Sequence, residues 1–268
     1  MSKHLKFFKQ RKSLSQVFLR ETWPCRKLAE QLKSLQVDGV VEIGPGAGIL
    51  TQALLAENLQ VLAVEKDAHL IEHLEDLGRS PEAGGRLEIV NQDILKFPWQ
   101  DWLRKDNSKK AVCGNIPYHI STPILADIFA LLPQLQGAAL MVQLEFAERV
   151  AAMPGNKSYG SLSVYGQLRS NVRLAFKVPR TCFHPIPKVD SAIIVITPPS
   201  HRYPQELLER VELLTRRAFS QRRKMLSNSL APFIEKAGPA AKTAFDWTRR
   251  CETLSPAEYV ALAALLFE

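Results

Sequence analysis

Between residues 22 and 143, short apolar runs rich in β-branched residues alternate with amphipathic stretches, and this alternation constrains the chain more than any other feature. GVVEI (39–43), LQVLAVE (59–65), RLEIV (86–90), AVCGN (111–115) and GAALMVQ (137–143) read as buried strands. Between them, ILTQALLAENL, DAHLIEHLEDL and STPILADIFALL carry apolar residues at helical spacing. Strand alternating with helix predicts a mostly parallel sheet with right-handed crossovers, a doubly wound, Rossmann-like α/β domain. Two further runs, NVRLAFKV (171–178) and SAIIVIT (191–197), are joined by the proline-rich PRTCFHPIPKVD with no helix between, so antiparallel pairing at a sheet edge is expected. The segment TPPSHRYP (197–204) predicts a boundary between an α/β domain at 1–200 and a small all-helical domain at 201–268, where Ser255-Pro256 offers an N-cap and first turn.

Charge points to an anionic partner. Thirty-five Lys and Arg against 27 Asp and Glu give +8. The N-terminal arm, residues 1–20, holds Lys3, Lys6, Lys9, Arg11, Lys12 and Arg20, with no acid before Glu21. A second acid-free cluster holds Arg216, Arg217, Arg222, Arg223 and Lys224. Two such clusters favour nucleic acid over a merely solvated surface. No apolar run approaches the ~20 residues of a membrane span, and the basic N-terminus lacks the apolar core of a secretory signal, so a soluble cytoplasmic protein with no membrane partner is expected. The four cysteines lie at least 69 residues apart, which supports neither a zinc knuckle nor a disulfide framework.

The strand VVEI runs into Gly44-Pro45-Gly46-Ala47-Gly48 before a helix, a turn that lets a ligand approach the backbone at a helix N-terminus. Glu65 ends the next strand 21 residues after Gly44, where a carboxylate can accept both ribose hydroxyls of an adenosine-containing cofactor. The dinucleotide fingerprint requires a third glycine where this chain has Ile49. Asp93, after the third strand, can accept the exocyclic amine of adenine. Three successive strand-end contacts suit one adenosyl group, and S-adenosylmethionine (SAM) is favoured over NAD.

The fourth strand ends in Asn115-Ile116-Pro117-Tyr118. A loop of the [ND]-P-P-[YF] type offers a side-chain amide oxygen and a backbone carbonyl as paired acceptors beside an aromatic ring. Two acceptors suit an amine conjugated to a ring, and they aim its lone pair at the methyl group of the cofactor.

With these residues in view, the chain resembles the rRNA adenine-N6,N6-dimethyltransferases, most closely the bacterial small-subunit (16S) enzymes of the KsgA type. The resemblance is carried by SLSQVFL (13–19), VEIGPGAGILT (41–51), VEKD (64–67), NQDIL (91–95), GNIPYHISTPIL (114–125), YGSLSV (159–164), FHPIPKVDSA (183–192) and AFSQRRKMLSN (218–228). It implies that Gln16, Val17 and Leu19 border the cofactor, that Gly44 and Gly46 line its methionine side, and that Glu65, with Lys66 adjoining, holds the ribose. It further implies that Asp93 and Ile94 hold the adenine. Asn115 would join the cofactor end to the target amine, with Pro117 in the same catalytic loop, Tyr118 stacking on a flipped adenine and Phe183 closing its other face. Arg222, Arg223 and Lys224 would contact rRNA. Val17 stands where the family usually has Asn, so a side-chain contact is lost there while a backbone contact can survive.

The implied activity is SAM-dependent dimethylation of two adjacent adenosines in the 3′-terminal hairpin loop of 16S rRNA, on a preassembled small subunit and with a part in its biogenesis. The expected enzyme is a monomer that needs no metal. The alternatives are a 23S rRNA methyltransferase of the macrolide-resistance type, against which Pro45 and Pro123 speak, and a non-catalytic RNA-binding assembly factor, against which Glu65, Asp93, Asn115 and Tyr118 speak. His69, Glu72 and His73 spell H-x-x-E-H, an inverted zinc-protease signature, but no third ligand lies nearby and the segment reads as a helix surface. Phe183 could equally be a core aromatic; the rigid HPIPKVD that follows favours stacking.

Overall fold

The computed structural model describes residues 17–267, so Gln16 and the basic residues through Lys12 lie outside it. A two-residue strand, β1 (Phe18–Leu19), precedes helix α1 (Trp23–Ser34), whose Pro24 sits in the first turn, where its missing N–H costs nothing. Strand–helix steps follow: β2 (Gly39–Ile43) and α2 (Ile49–Ala56), β3 (Gln60–Glu65) and α3 (Ile71–Gly78), β4 (Leu87–Asn91) and α4 (Trp99–Arg104). Next come β5 (Lys110–Asn115) with α5 (Ser121–Leu131), and β6 (Gly137–Gln143) with α6 (Leu144–Val150). Helix α7 (Ser161–Arg169) leads to β7 (Asn171–Val178), β8 (Phe183–His184) and β9 (Ser191–Thr197). The remainder is helical: α8 (Gln205–Ser220), α9 (Leu226–Ser229), α10 (Ala231–Ala237), α11 (Pro239–Thr243) and α12 (Pro256–Phe267). Among the described residues no helix is long and apolar enough to cross a membrane.

Seven strands form one sheet in the order β4-β3-β2-β5-β6-β9-β7. Neighbours from β4 to β6 are parallel, and β9 is antiparallel to β6. The two helix-free runs are neighbours at that end, with β7 outermost. The inner strands are apolar along nearly their whole length because helices cover both faces, whereas β7, at the edge, is only partly buried. From β2 the chain steps outward to β3 and β4 and then returns past β2 to β5. The connections after β2 and β5 therefore leave in opposite directions, and ligands bind at the carboxyl ends of strands beside such a reversal.

The chain forms two compact units: residues through Ala147 with Arg173–Pro198, and Glu148–Val172 with Pro199 onward. The last of the three crossings, Pro198–Pro199, lies close to residue 200, and residues 148–172 group with the helices that follow it. The physical reason is Tyr159. Its ring is fully buried against Phe219, centroids 5.9 Å apart, and its hydroxyl donates to the Leu254 carbonyl at 2.8 Å. Gly155 N–H also donates to the Glu252 carbonyl at 2.8 Å. A buried aromatic with a satisfied hydroxyl ties this insert to the C-terminal helices. Ser255 does cap α12: its Oγ accepts from Glu258 N–H at 3.2 Å, and Glu258 Oε2 accepts from Ser255 N–H at 2.8 Å, a reciprocal capping box.

One glycine sets how closely β5 approaches β2 just before the functional loop. A Cβ on Gly114, where φ is +157°, would lie 2.5 Å from the Ile43 carbonyl oxygen. Gly114→Ala is therefore expected to destabilise the chain by about 1–3 kcal/mol, the cost typical of an overpacked core. A urea unfolding midpoint equal to that of the wild type would show that the strand pair can yield.

Candidate active site

The turn from β2 into α2 is built on three glycines, Gly44, Gly46 and Gly48, at φ +63°, +59° and +75°. A Cβ on Gly44 would meet nothing within 4 Å, although Gly44 lines a cleft of the first unit, so its bare backbone faces ligand space. A Cβ on Gly46 would come within 3.3 Å of the Phe18 ring. Glu65, at the end of β3 and 7% exposed, accepts from Gly46 N–H through Oε2 at 3.1 Å and from Asp67 N–H through Oε1 at 2.8 Å. Burial pushes its carboxyl upward, and these backbone donors partly offset that.

A second carboxylate beneath the loop escaped the sequence reading. Glu42 in β2 is 1% exposed, and Thr51 Oγ1 donates to its Oε2 at 2.7 Å. Thr51 is the third residue of α2, so Glu42 holds the first turn of that helix from the sheet below. Burial pushes the Glu42 carboxyl up to about 8, with the Glu65 charge adding to the rise. The only sequence signal was a glutamate inside an otherwise apolar strand.

On the next strand end, Asp93 Oδ2 pairs with Lys66 Nζ at 2.8 Å and Oδ1 accepts Leu95 N–H at 3.1 Å; the Lys66 ammonium holds this carboxyl below its usual range. Lys66 therefore orients Asp93, while buried Ile94 follows it at the cleft wall.

At the end of β5, Asn115 Nδ2 donates to the Val17 carbonyl at 3.4 Å, leaving Oδ1 as an acceptor. It is thus the main chain of Val17, not its side chain, that Asn115 meets. Pro117 has a spent carbonyl, which accepts from Ile120 N–H at 3.1 Å and from Ser121 Oγ at 3.3 Å. The loop carbonyl without a partner among the described residues belongs to Ile116. Tyr118 is 37% exposed; partial burial pushes its phenol up, and Ser191, the buried first residue of β9, works against that rise. Opposite, β1 pairs antiparallel with β8, registering Leu19 with Phe183, and Arg20 N–H donates to the Cys182 carbonyl at 2.8 Å. Phe183 is 2% exposed and packs in the core with Leu19 while also bordering the cleft.

The structure thus brings Val17, Leu19, Gly44, Gly46, Glu65, Lys66, Asp93, Ile94, Asn115, Pro117, Tyr118 and Phe183 around one cleft of about 180 Å³. Gln16 lies outside the described residues. The basic cluster belongs to the helical unit, where its members differ. Arg222 donates to the Lys157 and Asn156 carbonyls at 2.7 and 3.1 Å, Arg216 pairs with Glu212 at 2.7 Å, and Arg217 donates to the Ser229 carbonyl at 3.2 Å. Arg223 and Lys224 are exposed, and their side chains have no partner among the described residues.

A sequence model of a family described as ribosomal RNA adenine dimethylase matches residues 7–266. The ribosomal RNA small subunit methyltransferase A of Nitratidesulfovibrio vulgaris (strain DP4) is 38% identical over 258 residues, covering 94% of each chain. That of Francisella tularensis subsp. tularensis (strain WY96-3418) is 37% identical over 262 residues, covering 96% of this chain and 98% of its own. Among solved structures, a dimethyladenosine transferase from Plasmodium falciparum superposes with a TM-score of 0.72 at 25% identity, over 91% of this chain and 95% of that one. The 23S rRNA methyltransferase ErmE superposes with a TM-score of 0.68 at 25% identity, over 94% and 100%.

The raised Glu42 carboxyl links stability to pH. In the unfolded chain this group loses its proton near 4.5, whereas folded it keeps it to about 8. Stability is therefore full below the ordinary carboxylate value and is lost as pH rises towards 8. Glu42→Gln keeps the neutral shape and is expected to gain on the wild type by roughly 2–4 kcal/mol between pH 5 and pH 8.5, at about 1.4 kcal/mol per pKa unit. Urea titrations of both chains across that range check it; parallel curves would place the Glu42 proton elsewhere.

Proposed function

The chain belongs to the ribosomal RNA adenine dimethylase family, and we propose that it dimethylates the N6 amines of two adjacent adenosines in the 3′-terminal hairpin loop of 16S rRNA, with SAM as donor. It would act in the cytoplasm, as a monomer without a metal, on a preassembled small subunit whose biogenesis it assists. The observation that carries this reading is the Asn115 amide. Its nitrogen is engaged by the Val17 carbonyl, so its oxygen and the Ile116 carbonyl are left as the paired acceptors an exocyclic amine requires.

The cleft suits the cofactor on its own terms. Glu65 stands at the end of β3 with Asp93 on the next strand end, and the open side of Gly44 admits a ligand against bare backbone. When bound, SAM supplies an electrophilic methyl group on a sulfonium. Glu65 and Asp93 would bind the ribose and the adenine. Asn115 and the Ile116 carbonyl would hold the target amine through its two N–H bonds, directing its lone pair at the methyl group. Tyr118, half exposed at the cleft, would stack on the extruded base, and a loop adenosine is cheaper to extrude than a paired one. Methyl transfer moves the positive charge from sulfur to nitrogen, and the amine then releases its proton to water, so no strong general base is required.

The test is to incubate small subunits lacking the modification with the protein and SAM, then examine their RNA by mass spectrometry. Two N6,N6-dimethyladenosines are expected in 16S rRNA and none in 23S rRNA. Asn115→Ala should lower the rate about 10²-fold or more, the scale of one positioned polar group. Absence of modified adenosines, or modification of 23S rRNA alone, would overturn the reading in favour of an assembly factor or a large-subunit enzyme.

For the helical unit, the free cations are expected to contact phosphate and Arg222 to support them. Neutralising Arg223 and Lys224 together should lower the log–log salt slope of subunit binding by up to about two units, at roughly 0.7–0.9 per phosphate. Arg222→Ala should instead lower Tm, since two loop carbonyls lose their donor. A salt series in which the double variant matches the wild type would make these residues a solvated face.

A further inference from the structure

The H-x-x-E-H motif at 69–73 has no part in the reaction so far. In the folded chain its second histidine faces the glycine loop. Leu70 is buried with Ala47 and Phe18. His73 Nε2 lies 3.3 Å from the Ala47 carbonyl oxygen. A Cβ on Gly48 would meet Leu77 at 3.0 Å and Leu74 at 3.5 Å. Positions 70, 73, 74 and 77 follow the i, i+3, i+4, i+7 pattern of one helix face, so α3 and the residue before it back the loop along a continuous stripe. His73 is the polar member of that stripe.

A carbonyl oxygen can only accept, so the ring nitrogen facing it, Nε2 of His73, is the donor. The peptide between Ala47 and Gly48 is thereby held at both ends. Its N–H, on Gly48, donates to the Pro45 carbonyl at 3.0 Å inside the loop, and its oxygen accepts from His73 outside it. Ala47 lines the cleft, so the orientation of this peptide shapes the wall a cofactor meets.

We propose that His73 is a positioning residue for the cofactor: without touching it, His73 fixes the Ala47–Gly48 peptide and so keeps the glycine loop in its binding conformation. The inference rests on the reading of this cleft as the SAM site. A loop held in advance spares the ordering cost that a loose loop incurs on binding.

The geometry supplies its own control. A Gln side chain at position 73 can bring an amide N–H to where Nε2 stands, whereas Asn reaches only as far as Nδ1. SAM affinity is measured by calorimetry on the full-length chain, with Tm recorded for each variant. His73→Gln is expected to bind SAM within about twofold of the wild type, and His73→Asn about 3- to 10-fold more weakly, the range for one lost hydrogen bond. In turnover, the defect of His73→Asn should fall on KM for SAM rather than on kcat. Equal affinities for the Gln and Asn variants would overturn the inference, since ring packing or nothing at all would then be the role of the histidine. A wild-type chain that binds no SAM would overturn the reading of the cleft, and this inference with it.

Discussion

Where β2 gives way to α2, the backbone has N–H groups to satisfy beside a cleft that must stay open, and the rest of the site is arranged around how they are held. Two buried carboxylates on neighbouring strands brace this junction, one through a side-chain hydroxyl and one through a backbone N–H. Glu42 serves Thr51 in the first turn of α2, and Glu65 serves Gly46 in the loop. Two charges so close under low-dielectric packing would repel, and burial resolves the conflict by keeping Glu42 protonated to about 8. The carboxylate nearer the ligand can then carry the charge, while the deeper one supports the helix as a neutral group.

The far wall of the cleft depends on a different economy. β1 and β8 are only two residues long, yet their pairing delivers the Val17 carbonyl to Asn115, the Phe18 ring to Gly46 and the Phe183 ring to the core edge. A backbone carbonyl holds the Asn115 amide at a position whose side chain is a valine. The same distinction between groups that support and groups that remain available recurs in the helical unit. There Arg222 is bound to two carbonyls of the 156–157 loop, while Arg223 and Lys224 carry their charge unpaired into solvent.

The sheet was legible in the sequence because parallel strands covered on both faces are near-continuous apolar runs, as in VVEI and GAALMVQ. The strand ends were legible for a related reason: glycines and isolated polar residues stand out after such runs, which is how Gly44, Glu65, Asp93 and Asn115 are found. What was hidden depends on distant partners or on the main chain. Tyr159 looked like part of the α/β domain because its partner Leu254 is 95 residues away. A triplet of basic residues reads as uniform charge until two of the guanidinium's bonds are seen to end on carbonyls. The Ile116 carbonyl oxygen, which its side chain does not advertise, is left open, while that of Pro117 accepts from Ile120 and Ser121.

The interleaving of the two units bears on any attempt to dissect the gene. A fragment ending at residue 200 would retain the 148–172 insert but lose the helices it packs with, leaving Tyr159, Val164 and Leu168 as an uncovered greasy surface and the Tyr159 hydroxyl without its acceptor. The complementary fragment would keep Phe219, Leu254 and Tyr259 around a hole the size of a tyrosine. Neither half is a module in the genetic sense. A shortened catalytic version of this protein would have to excise 148–172 as well and join Ala147 to Arg173 with a designed turn.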